Sequence, residues 1–73
     1  MTINEFKCMI DLKKEYEFEY KGVFYNLTYG KDADGKPYMC FGERYMGKRY
    51  YTFGDLMASK VQNHSLKEFI AHL

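Results

Sequence analysis

The sequence predicts a small α+β domain in the order α-β-β-β-β-α-α, a four-stranded antiparallel sheet with an N-terminal helix and two short C-terminal helices. Three observations predict it. Thr2-Ile3-Asn4-Glu5 and Ser65-Leu66-Lys67-Glu68 both fit the capping box that opens a helix. Glu15-Tyr16-Glu17-Phe18-Glu19-Tyr20 alternates strictly, the pattern of a half-buried strand. Lys21-Gly22 then supplies a two-residue turn into a second apolar run, Val23 to Tyr29.

In the first helix Ile3, Phe6, Met9 and Ile10 fall on one face at spacings of three and four, and Lys13 and Lys14 suit the negative end of the helix dipole. The Lys21-Gly22 turn sets a register. Tyr20 faces Val23, Phe18 faces Tyr25 and Tyr16 faces Leu27, which makes one side of the hairpin uniformly apolar. The other side sets Glu15, Glu17 and Glu19 against Thr28, Asn26 and Phe24. Residues 30–37 form a turn by composition. Tyr38 to Tyr45 is the third strand and Arg49 to Thr52 the fourth. A Gly47-Lys48 turn would pair Tyr45 with Tyr50. A Met46-Gly47 turn would oppose Arg44 and Arg49, two like charges, and is disfavoured. With the first of these, Met39, Phe41, Tyr45 and Tyr50 share one face, and Tyr38, Cys40, Tyr51 and Phe53 the other. Both faces then carry large apolar groups, so this half of the sheet is either covered on both sides or offers one side as a contact surface.

Thr52-Phe53-Gly54-Asp55 reads as a second helix start, for a short helix ending near Lys60, and Asn63 takes the next turn. Leu66, Phe69, Ile70 and Leu73 form the apolar stripe of the last helix. Residues 1–73 therefore make one domain, with both sets of helices on one side of the sheet.

Composition bounds the function. The chain has 73 residues, a net charge of +1 and 19% aromatic residues, which argues against disorder. No run approaches the length of a membrane span. The N-terminal stretch carries acids and no small-residue cleavage site, so a cytoplasmic setting without a secretory signal is expected. So short a chain usually needs a staple, a metal or a partner. A Cys8–Cys40 disulfide would need an oxidising compartment, and two small buried thiols are the expectation. No phosphate-binding glycine loop, CxxC or HExxH occurs. His64 and His72 lie eight apart, too far for a ligand pair on one helix face. Asp32-Ala33-Asp34-Gly35 lacks the flanking acids of a calcium loop and reads as a turn. Cys40 has no orienting group that would make it a nucleophile. No enzyme activity and no cofactor are expected.

The strongest cluster is Arg44-Tyr45-Met46-Gly47-Lys48-Arg49-Tyr50-Tyr51. Residues 1–34 hold five basic and seven acidic groups, net −2, and residues 35–73 hold six basic and three acidic, net +3. Arg44, Lys48 and Arg49 gather part of that excess at one hairpin tip. The candidate binding residues are Arg44, Tyr45, Lys48, Arg49, Tyr50 and Tyr51. Tyr and Arg are enriched at protein interfaces. Exposed aromatic and basic groups can also stack on bases and neutralise phosphates. The plain alternative is a charged turn with tyrosines packed beneath it. For Glu15, Glu17 and Glu19 the choice is between a solvated face and a negative patch for a basic partner.

Tyr51-Thr52-Phe53-Gly54-Asp55-Leu56-Met57 followed by Ser65-Leu66-Lys67-Glu68-Phe69-Ile70 resembles the C-terminal half of short hypothetical proteins of low-GC Gram-positive bacteria and their phages, and the hairpin at 15–29 is similar too. The resemblance implies a bacterial or phage cytoplasmic setting, in which very small proteins often serve as inhibitors or adaptors. It carries over no functional residue. The function expected is a small non-enzymatic protein-binding module, a homo-oligomer, acting through the tip around Arg44 to Tyr51 on a protein partner, with no membrane partner. The alternatives are a single-stranded nucleic-acid binder using the same hairpin, and small-ligand binding at an oligomer interface.

Overall fold

The computed structural model describes residues 1–71, so the expectations for His72 and Leu73 lie outside the described residues. The fold is α+β in the expected order, with one addition near the C-terminus.

Helix α1 spans Ile3–Asp11. Its capping box is complete: Thr2 Oγ1 accepts from the Glu5 N–H at 3.1 Å, and the Glu5 carboxylate accepts from the Thr2 N–H at 3.0 Å. The hydrogen bonds to Thr2, backbone first, hold the Glu5 carboxyl below the usual carboxylate range. Phe6 is buried and Met9 and Ile10 pack partly against the core, while Ile3 in the first turn stays exposed. The helix closes in a Schellman motif, in which the Lys14 N–H reaches Met9 O and the Lys13 N–H reaches Ile10 O. Lys13 holds the left-handed position, φ 53°. The helix ends before Lys13 and Lys14, so neither stands in its last turn.

Strands β1 (Tyr16–Tyr20), β2 (Val23–Lys31), β3 (Pro37–Glu43) and β4 (Lys48–Tyr50) form one antiparallel sheet in sequence order. The first hairpin has the predicted register, Tyr20 opposite Val23, Phe18 opposite Tyr25 and Tyr16 opposite Leu27. Lys21 and Gly22 both have positive φ, as a two-residue turn matching the strand twist requires.

The second hairpin departs from the prediction. Tyr50 pairs with Met39, Arg49 with Cys40 and Lys48 with Phe41, so Tyr45 does not pair with Tyr50. Beyond the Phe41–Lys48 pair, Gly42 and Glu43 stay paired with β2 only, and residues 44–47 make the connection. Met46 N–H bonds Glu43 O at 2.8 Å, and Tyr45 takes φ 69° at the turn. Gly42 sits at φ 155°, and a Cβ there would lie 3.0 Å from the Gly47 Cα. That close approach lets the tip fold in on itself. Drawing β4 back along β3 brings Tyr50 beside Met39 and against the core, burial that pairing at the tip would forgo. The shift is an even number of residues, so Met39, Phe41 and Tyr50 still share a face, while Tyr45 leaves it.

Helix α2 (Phe53–Met57) is capped by Thr52, whose hydroxyl accepts from the Asp55 N–H at 3.1 Å. A two-stranded hairpin follows, β5 (Lys60–Val61) and β6 (His64–Ser65), with a turn through Gln62 at φ 56°. The sequence predicts only a turn here. Helix α3 (Leu66–Ile70) starts at Ser65, which accepts from the Glu68 N–H at 3.3 Å. Glu68 itself turns to His64, 3.9 Å away, rather than closing a second box as expected.

All three helices pack on one side of the sheet. Phe6, Leu56, Met57, Leu66, Phe69 and Ile70 meet Tyr25, Leu27 and Phe41, with Val61 of β5 fully buried among them. Phe18 stacks on Phe69 and Tyr25, at 5.1 and 5.3 Å between ring centroids. The Tyr29 hydroxyl donates to Lys14 O at 2.8 Å and ties the exit of α1 to β2; burial, then the nearby Glu15 charge, pushes that phenol up from its ordinary pKa. Both cysteines are free. Cys40 is half-buried, but Cys8 is exposed on the outer side of α1, so the expectation of two buried thiols fails for Cys8. No helix among the described residues is long and apolar enough to cross a membrane.

Candidate functional site

Strand alternation decides what the uncovered side of the sheet presents. The residues opposite the core positions are Glu17, Glu19, Phe24, Asn26, Thr28, Gly30, Tyr38, Cys40, Gly42 and Arg49. Among the described residues no helix packs on this side. Two clusters occupy its ends, and each sets a guanidinium on an aromatic ring beside a carboxylate.

At one end Arg44 leaves β3, and its N–H donates to Phe24 O at 2.8 Å. Its guanidinium lies 5.5 Å from the Phe24 ring centroid, 5.7 Å from that of Tyr45 and 3.8 Å from the Glu17 carboxylate. At the other end Arg49 lies 4.3 Å over the Tyr38 ring, and Tyr51 meets Tyr38 edge-on at 6.2 Å. The Tyr51 hydroxyl donates to Asp32 Oδ2 at 3.1 Å. Asp32 Oδ1 accepts from the Lys36 and Asp34 N–H groups, each at 2.9 Å, and so shapes the β2–β3 turn. These contacts, the Lys36 N–H first, with Tyr51, Asp34 and the Arg49 charge, hold the Asp32 carboxyl below its ordinary range. Tyr38 lies across Gly30, where a Cβ would come 2.6 Å from its hydroxyl; only a bare glycine lets the ring lie flat on the sheet.

The six residues singled out in the sequence divide between the two sides. Arg44, Arg49 and Tyr51 come to the open side. Tyr45 stands at the tip, 92% exposed. Lys48 and Tyr50 alternate to the other side, with Tyr50 packing against the core; at the free edge of β4, however, Lys48, Arg49, Tyr50 and Tyr51 all line one cleft near α2, with Asp55 and Lys60. Phe24, Tyr38 and Asp32 join the site and were not singled out from sequence. The alternation that put Phe24 on the glutamate side and Tyr38 opposite Met39 carried that signal.

The open side is mixed in charge. Glu17 and Glu19 project from β1, Glu15 borders the same shallow hollow as Asn26 and Thr28, and Arg44 and Arg49 stand across the sheet. Carboxylates therefore outnumber guanidinium groups on this surface. Near its Tyr38 end a cleft of about 430 Å³ opens between the end of α1 and the β2–β3 hairpin, lined by Ile10, Lys13, Tyr29 and Met39 among others. No His, Cys, Asp or Glu cluster of metal-binding size occurs among the described residues. The sequence matches no family model, and it matches no curated protein and no solved structure.

Proposed function

We propose that this chain is a small non-enzymatic protein-binding module, an inhibitor or adaptor acting in the cytoplasm, and that its working surface is the open side of the sheet. The observation that supports this reading is the exposure of Phe24 and Tyr51, 43% and 47%, beside arginines held on aromatic rings, where no element among the described residues covers them. Aromatic and arginine anchors carry much of the energy at protein interfaces. Stacked guanidinium groups lose little further freedom when a partner arrives.

The same aromatics could serve as a platform for single-stranded nucleic acid. The carboxylates of β1 and Asp32 on that surface argue against it, because they repel phosphates and offset the attraction of the arginines.

The test is capture of interacting proteins from the host on the immobilised chain. Replacing Arg44, Arg49 and Tyr51 together by Ala is expected to abolish capture while circular dichroism stays unchanged. Lys48→Ala, on the other side of the sheet, is expected to leave capture intact. Equal capture by the triple variant and the wild type would overturn the reading. Binding to single-stranded oligonucleotides that falls steeply with salt would instead favour nucleic acid.

A further inference from the structure

We propose that the open side of the sheet docks a second copy of this chain, in a twofold arrangement whose axis runs along the strands between β2 and β3. This rests on the reading of that side as a protein-contact surface, and it names the occupant.

The strand register carries the inference. One row across the open side runs Glu15, Thr28, Cys40, Arg49. Thr28 pairs with Cys40 and Cys40 with Arg49, and Glu15 shares a hollow with Thr28. The row is acidic at its β1 end and basic at its β4 end. Turning a second sheet over about an axis parallel to the strands exchanges β1 with β4 and β2 with β3. Levels along the strands are unchanged. Glu15 of each copy then faces Arg49 of the other, and Phe24 of each faces Arg44 of the other. The contact is isologous, so each favourable pair occurs twice.

Two other symmetric pairings of the sheet fail on charge. A twofold axis across the strands would stack the Glu15, Glu17 and Glu19 ladder on its own copy. Pairing β1 edge to edge about Phe18 would set Glu17 against Glu19, like charges directly opposed. A sheet face of roughly 20 by 20 Å follows from strand spacing and rise. Two such faces together bury on the order of 1,000 Å², the low end for a specific interface. The assembly is therefore reversible, and a tighter partner can displace it.

The test is sedimentation of the full chain from micromolar to millimolar concentration. The wild type is expected to exceed its 8.7 kDa monomer mass as concentration rises, and to return to it on dilution or in high salt. Glu15→Arg alone and Arg49→Glu alone each set like charges opposite each other twice, and both are expected to stay monomeric. Mixing the two variants, or combining both changes in one chain, restores opposite charges and is expected to restore assembly. Positions 15 and 49 stand about three strand spacings apart, roughly 14 Å, so the recovery does not come from a pair within one chain. A wild type that stays monomeric throughout, single reversals that associate like the wild type, or failure of both the mixture and the double variant to recover would each overturn the second copy. None of these decides whether the surface binds foreign proteins; that reading fails only if the chain lacking Arg44, Arg49 and Tyr51 side chains captures them as before.

Discussion

Phe41 and Tyr38 stand three residues apart in β3, and both are large aromatics. Phe41 is 3% exposed beneath the helices, whereas Tyr38 lies on the other side across a bare glycine, with an arginine on its outer ring face. The covered side is held by ring-on-ring contacts among Phe18, Tyr25, Phe41 and Phe69. The open side is held by rings on arginines, with a carboxylate beside each. The first arrangement excludes water and stabilises the fold. The second keeps apolar surface partly wet by giving each ring a charged companion. On the proposed function, one strand contributes alternately to stability and to recognition, and substitutions along it should separate the two.

The largest expected effect is on the covered side. Phe41→Ala should cost about 3–5 kcal/mol, enough to threaten a small domain outright, and Phe24→Ala on the open side only about 1 kcal/mol. Urea denaturation of the pair checks the contrast; similar losses would break it. Next comes Gly42→Ala, expected to cost about 1–3 kcal/mol because φ 155° and the Gly47 backbone leave no room for a side chain. Chemical-shift changes in that variant should concentrate at residues 42–50 if the tip geometry fixes the register of β4.

A smaller effect belongs to Asp32→Ala, which removes the acceptor of two backbone bonds and of Tyr51. The folded-state carboxyl is held low, so its contribution is present above the unfolded value of about 3.9 and is lost as pH falls through the folded value. The gap in melting temperature between wild type and variant should be open at neutral pH and close in acid. A gap independent of pH would remove the carboxylate from the account. The smallest effect is a gain. Lys13→Gly relieves a left-handed lysine and should stabilise the chain by about 1 kcal/mol without touching either side of the sheet.

Local signals in the sequence foretold much of this. The capping box at Thr2, the glutamate alternation and the Lys21-Gly22 turn each act within a few residues, and the first hairpin follows from them. The second hairpin had no such local determinant. Its register depends on Tyr50 reaching Met39 and the core, and on two glycines, Gly42 and Gly47, approaching across the tip; both are long-range matters. The β5–β6 pair has only two residues per strand, too short for alternation to show. For the site, reading Arg44 to Tyr51 as one cluster followed closeness in sequence. A strand sends successive side chains to opposite sides, which is why Lys48 and Tyr50 part from Arg49 and Tyr51. Phe24 and Tyr38, twenty and six residues earlier than Arg44, entered the surface through pairing alone.

The two free cysteines offer the most direct test of the central claim, that the open side of the sheet is a protein-contact surface. Cys40 lies in the middle row of that side and Cys8 on the outer side of α1, so one reports on the surface and the other serves as an internal reference. The rate of alkylation at each, read by mass spectrometry, should show Cys40 slowing relative to Cys8 as the chain is concentrated or its partner is added, and recovering on dilution. A ratio of the two rates that stays constant, or protection that falls on Cys8 instead, would contradict the account.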